Sequence, residues 1–113
     1  MQIQINTSDN IKGSEAMIAR FSAVLDTSLD RFSDRVTHLE VYLRDENGTK
    51  GGPEDKHCTI EARLEGLQPM TVTDHAATLE RAVDGASHKI ANLIEHTLGR
   101  LHDRDRRHAS PSA

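Results

Sequence analysis

The sequence predicts an α+β domain of order β-α-β-β-β-α, with a four-stranded mixed sheet and both helices packed on one of its faces. Three observations lead there. Four short runs alternate polar and apolar residues, the period of a strand with one buried face. Two longer stretches carry apolar residues at three- and four-residue steps, the period of an amphipathic helix. The chain has 113 residues, enough for one two-layer core.

The first strand is Gln2 to Asn6, with Ile3 and Ile5 on one side. Turn residues Thr7 to Asn10 follow. Ser14 is placed to cap a helix whose apolar positions are Ala16, Met17, Ile18, Phe21, Leu25, Leu29 and Phe32. Lys12, Glu15, Arg20, Asp26 and Asp30 fall on its wet side.

Val36 to Arg44 alternates again, with Leu39, Val41 and Leu43 opposed to His38, Glu40, Tyr42 and Arg44. The polar, Gly-rich segment from Asp45 to Lys56 reads as a loop without core material. His57 to Leu64 is the third strand, with Cys58, Ile60, Ala62 and Leu64 on the apolar face. Glu65 to Pro69 makes a tight turn, and Met70 to Thr73 a short fourth strand.

From about Ala76 the period becomes helical. Leu79, Val83, Ala86, Ile90, Leu93, Ile94, Thr97, Leu98 and Leu101 form one stripe. A helix reaching about Arg104 would be roughly 40 Å long, so its last turns outrun a small sheet. Gly85 interrupts the pattern at a cost of about 1 kcal/mol relative to Ala. With Ala82, Ala86 and Ser87 beside it, it marks a close approach of helix backbone to a neighbour. The domain is thus residues 1–104, and 105–113 are read as a polar, basic, disordered tail.

The first β-α-β unit implies a right-handed crossover between parallel strands, and the next three strands an antiparallel meander. Every strand has a single apolar face, so both helices must cover that face and leave the other wet.

No apolar run approaches the ~20 residues that span a bilayer, and the N-terminus lacks the pattern of a signal peptide. A lone cysteine, Cys58, fits a reducing, cytoplasmic setting. Residues 1–99 hold ten Lys/Arg against sixteen Asp/Glu, whereas residues 100–113 hold four Arg against two Asp. An acidic body with a basic end is a poor non-specific nucleic-acid binder, so any phosphate contact would be local.

Candidates for catalysis are thin. His57 and Cys58 are adjacent in a strand and point to opposite faces, which removes a nucleophile–base pair. His88 and His96 are eight residues apart, not the four that suit a helical metal site. His38 and His57 are placed as cross-strand neighbours on the wet face, but two ligands do not make a site. No glycine-rich phosphate loop precedes a helix. No cofactor, metal, small-molecule substrate or enzymatic activity is expected. Tyr42 and Arg44 on the wet face are the residue types that stack on bases, without a second aromatic beside them. The basic end is the clearest charge feature: arginines suit a helix C-terminus through its dipole, and equally suit phosphate.

Element order, length and second helix together resemble the ribosome hibernation promoting factor (protein Y) family. Met1-Gln-Ile-Gln-Ile-Asn-Thr7 looks like its first strand, and Leu29-Asp-Arg-Phe32 like the end of its first helix. The stretch from Leu79 to Ile90, with Ala-Val-Asp followed by Lys89-Ile90, looks like its second-helix pattern. The likeness spans about residues 1–104 and lies mostly in core positions. It implies a cytoplasmic, non-catalytic, stress-associated protein. Such a protein binds the small ribosomal subunit in the channel where mRNA and tRNA sit and touches rRNA through basic side chains on the helices. By position, Arg31 and Lys89 match basic sites of the family, and Arg100 and Arg104 fall where its second helix continues with Lys and Arg.

The sequence also departs from the family. Asp26, Thr27 and Ser28 stand where lysines usually precede the leucine, and an early aromatic of the second helix is replaced by Glu80 or its neighbours. Each missing cation removes a phosphate contact. The extra C-terminal domain of long-form members is not expected in this length. The alternative reading is a divergent member of the same fold that binds a protein partner, or homodimerises, without binding ribosomes.

Overall fold

The computed structural model describes residues 1–8, 11, 13–45 and 56–109, with side chains described through residue 102. The elements are β1 (Gln2–Thr7), α1 (Glu15–Ser28), a 3-10 turn (Asp30–Phe32), β2 (Val36–Asp45), β3 (Lys56–Leu64), β4 (Met70–Ala76) and α2 (Leu79–Ala109). The sheet order is β1-β2-β3-β4. β1 runs parallel to β2, and the next two pairings are antiparallel. The predicted α+β fold is the one observed.

The core lies between the sheet and the helices. Leu39, Val41, Leu43, Cys58, Ile60, Ala62 and Leu64 from the central strands meet Phe21, Leu25, Val83, Ile90 and Ile94 from the helices, all buried. Ala82, Ala86 and Ser87 are fully buried as well. These small side chains let the α2 backbone sit close to the sheet, as the sequence pattern around Gly85 implied. Arg20 pairs with Glu80 at 2.9 Å and Arg31 with Glu95 at 3.4 Å. Residue numbers rise together across both contacts, so the two helices lie side by side in the same direction. Their C-terminal dipole ends therefore point the same way.

Local signals act as expected at several ends. Ser14 Oγ accepts from the Met17 backbone N–H at 3.0 Å, capping α1. Thr78 Oγ1 does the same for the Arg81 N–H at 3.1 Å. The Leu67 N–H donates to the Leu64 carbonyl at 3.1 Å across a turn whose third residue, Gly66, has φ +78°. A positive φ at that position is what a type II turn requires of glycine.

The elements differ from the sequence reading in several places. β1 ends one residue later, at Thr7, and the ends of the expected loop, Asp45 and Lys56, belong to β2 and β3. α1 stops at Ser28, and Leu29 to Phe32 continue as a turn and a 3-10 segment that still buries Leu29 and Phe32. β4 runs three residues past Thr73, to Ala76. α2 starts at Leu79 and extends to Ala109, beyond Arg104, about 46 Å at 1.5 Å per residue. His38 and His57 are not neighbours: His38 stands opposite Arg63, and His57 lies between Arg44 and His75. The ladder shift between Val36 and His38 moves that end of β2 out of simple alternation. Residues 46–55 of the expected Asp45–Lys56 loop and the last four residues of the tail lie outside the described residues.

Candidate nucleic-acid interface

The four cations singled out by sequence occupy different settings. The Arg31 guanidinium lies 4.7 Å over the Phe32 ring and pairs with Glu95, and it remains more than half exposed. Phe32 is buried, so Arg31 is held by a cation–π contact at the edge of the helix layer.

Lys89 is the most constrained. Its Nζ lies 2.9 Å from Asp74 Oδ1 and donates to the Thr73 carbonyl at 2.9 Å. Asp74 belongs to β4 but sits on the helix-covered face, where its neighbours Val72 and Ala76 join the edge of the core. A Cβ at Gly85 would overlap the Asp74 carboxylate. The missing side chain at Gly85 thus leaves room for that carboxylate, and Lys89, one turn on, meets its charge. Two of the ammonium's three protons are committed to this tether.

Arg100 is exposed on the outrunning part of α2, and among the described residues none bonds its guanidinium. Arg104 lies one turn further along the same helix. A cationic helix C-terminus is electrostatically favourable. The four residues therefore do not form one cluster. Lys89 is tied to β4, Arg31 to Phe32 and Glu95, and the basic end of α2 stands apart.

The wet sheet face is patterned by register. Asn6, Tyr42, Thr59 and Thr73 form one cross-strand row, and Arg44, His57 and His75 another beside it. The His57 and His75 rings are 4.1 Å apart between centroids and tilted by 57°. His57 is buried although it points away from the helices. On the other side of Tyr42, Glu40 accepts from Asn6 Nδ2 at 2.8 Å and bonds His38 Nε2 at 2.9 Å. The His38 bond, then the Asn6 amide, hold the Glu40 carboxyl below its usual range. Arg63 Nε donates to Glu61 Oε1 at 3.1 Å. Both carboxylates of this face are thus engaged by its own donors.

Cys58 is fully buried on the helix side. Burial, then the charge of Asp74, push its thiol up to about 12. It is a neutral core residue and no nucleophile at ordinary pH. Among the described residues, no group of three or more His, Cys, Asp or Glu is placed to hold a metal. No described helix is long and apolar enough to cross a membrane.

Sequence reasoning missed Asp74 and the histidine pair. An aspartate on an apolar strand face reads as the end of the strand. The available signal was Gly85 itself, a glycine inside a helical stripe with a lysine one turn later.

No protein-family model matches the chain, and no curated protein matches it in sequence. Solved structures do match. The N-terminal domain of protein Y from Thermus thermophilus is similar with a TM-score of 0.68 at 22% identity, covering 86% of this chain and 99% of that one. A ribosomal subunit interface protein from Coxiella burnetii is similar with a TM-score of 0.66 at 15% identity, covering 88% and 99%. At these identities the likeness is one of fold. The fold expected from the resemblance to the hibernation factor family is the fold found, nearly end to end in the solved chains.

Proposed function

We propose that this chain is a ribosome-associated, non-catalytic translation inhibitor that binds the small subunit under stress and occupies its mRNA and tRNA channel. The observation that carries the reading is the whole-domain likeness to two solved proteins, one of them described as a ribosomal subunit interface protein. The physical complement is α2. It carries an acidic body's only concentration of arginines on a helix extending to Ala109. Arg100 and Arg104 are the leading rRNA contacts in this reading. Arg31 adds a half-exposed guanidinium on the same helix layer, and Lys89 contributes its one uncommitted proton. The setting is the cytoplasm, and neither cofactor nor small-molecule substrate takes part.

Occupancy is tested by competition. Small subunits preloaded with the chain should bind initiator tRNA and mRNA less well, in proportion to loading. Unchanged tRNA and mRNA binding on loaded subunits would refute channel occupancy while leaving association itself standing.

A second reading keeps the fold and changes the partner to a protein or a second copy. It is favoured by β1, an edge strand of sequence Gln-Ile-Gln-Ile-Asn-Thr that carries no charge and no proline. Such an edge lacks the usual protections against strand addition. Light scattering decides for a second copy: a dimer that Gln4→Lys dissolves supports it, and a monomer across the working concentration range removes it.

A further inference from the structure

Contacts on two sides fix how α2 is turned about its own axis. Lys89 reaches Asp74 and the Thr73 carbonyl of β4, so its direction is the β4 side of the helix. Glu80 pairs with Arg20 of α1, and Glu95 with Arg31 just beyond α1, so theirs is the α1 side. At 3.6 residues per turn, positions seven or eleven apart point within about 20° of one another. His96 and Arg100 come seven and eleven residues after Lys89 and fall on the β4 side. Asp84, eleven residues before Glu95, and His102, seven after it, fall on the α1 side.

The two sides differ in charge. On the α1 side, Glu80, Asp84 and Glu95 follow one another, and the arginines that face them, Arg20 and Arg31, are already paired. Asp84 has only His88 beside it, at 3.7 Å. A phosphate approaching there meets three carboxylates. On the β4 side, Lys89, His96 and Arg100 form a line about 16 Å long. Its one carboxylate neighbour from the sheet, Asp74, is met by Lys89. His96 and Arg100 are exposed, and neither is bonded to any described residue. The turn leading into β4 carries a single charge, Glu65, which makes no bond to the line. Helix position puts Arg107 on the same line and Asp103 at its margin.

We propose that the β4 side of α2, centred on His96 and Arg100, is the surface along which rRNA phosphates lie, with the α1 side turned away from the RNA. The His96 imidazole can donate to phosphate in either protonation state, through one N–H when neutral and two when charged. The inference rests on the ribosome reading and adds to it the side of α2 that meets the RNA. It ranks Arg31, across the helix, below Arg100 as a contact.

His96 and His102 make a matched pair for the test: the same residue type on one helix, both exposed, on different sides. The whole chain and its variants are titrated against purified small subunits by co-sedimentation at low salt. His96→Glu should weaken association at least about threefold, and His102→Glu less than about 1.5-fold. His96→Arg should tighten it about threefold and steepen its salt dependence by about one contact, whereas His102→Arg should do neither. A gain of affinity cannot come from misfolding. Equal effects at the two positions, or the larger effect at His102, with the parent still bound, would overturn the sidedness and leave the ribosome reading standing. A parent chain that does not bind removes both. The same titration with protein-free small-subunit rRNA separates the partners. The same ordering of variants supports a phosphate contact. An ordering seen on subunits but lost on free rRNA assigns this side of α2 to an acidic ribosomal protein and overturns the proposal.

Discussion

Lys89 Nζ lies 2.9 Å from Asp74 Oδ1, and the carboxylate it meets occupies the space that a side chain at Gly85 would fill. The three residues form a tether between the edge strand β4 and α2. A charge on the covered face of a sheet is costly unless paired. Here the cost is offset by the ammonium and by partial solvent access, with Asp74 about one quarter exposed.

The tether predicts a change of sign in a double-mutant cycle. Gly85→Ala should gain roughly 0.8–1 kcal/mol of helix propensity yet lower stability overall, because the methyl displaces the Asp74 carboxylate from Lys89. In an Asp74→Ala background the same substitution should raise stability. Urea denaturation of the four proteins measures both effects. A stabilising Gly85→Ala in the parent chain would show that Asp74 moves aside freely.

Lys89 itself should behave as a fold residue more than as an RNA contact. Lys89→Met should cost about 1 kcal/mol, the scale of a partly exposed pair. It should change the salt dependence of small-subunit binding less than Arg100→Glu does. Equal effects of the two on that slope would place Lys89 in the interface on the same footing.

Cys58 predicts an alkaline loss of stability. Its thiol is raised from 9.0 in the ordinary range to about 12 in the fold. Between those values the unfolded chain gives up a proton that the folded chain keeps. Unfolding is therefore increasingly favoured as pH rises above about 9. The contribution is intact below pH 9. Cys58→Ala should flatten the alkaline limb of a stability–pH profile, and the native thiol should resist iodoacetamide at pH 8 until the chain unfolds. Prompt alkylation of the folded protein would contradict its burial.

Most of the fold was legible because its signals are local and periodic. Ile3 and Ile5, the β2 and β3 alternations, and the stripe from Leu79 to Ile94 each name their buried face. Ser14 and Gly66 do at their positions what their side chains dictate. What sequence alone could not supply was register and pairing. Placing His57 between Arg44 and His75, and not beside His38, depends on the β2–β3 register, which pairs Asp45 with Lys56 and which no residue announces. The setting of Lys89 was hidden for a related reason: Asp74 is polar, so β4 looked finished before it. The candidate cations were legible as residue types, but their division into tethered Lys89, stacked Arg31 and exposed Arg100 is a tertiary fact.

The central claim concerns the basic end of α2 and the small subunit, and co-sedimentation tests it most directly. Purified small subunits and the chain are layered on a sucrose gradient at low salt, then at rising salt. The account predicts that the chain travels with the subunit at low salt and is released as salt rises. Arg100→Glu/Arg104→Glu should reduce the steepness of that release by roughly two phosphate contacts' worth of slope. A chain that stays at the top of the gradient at low salt would contradict the account.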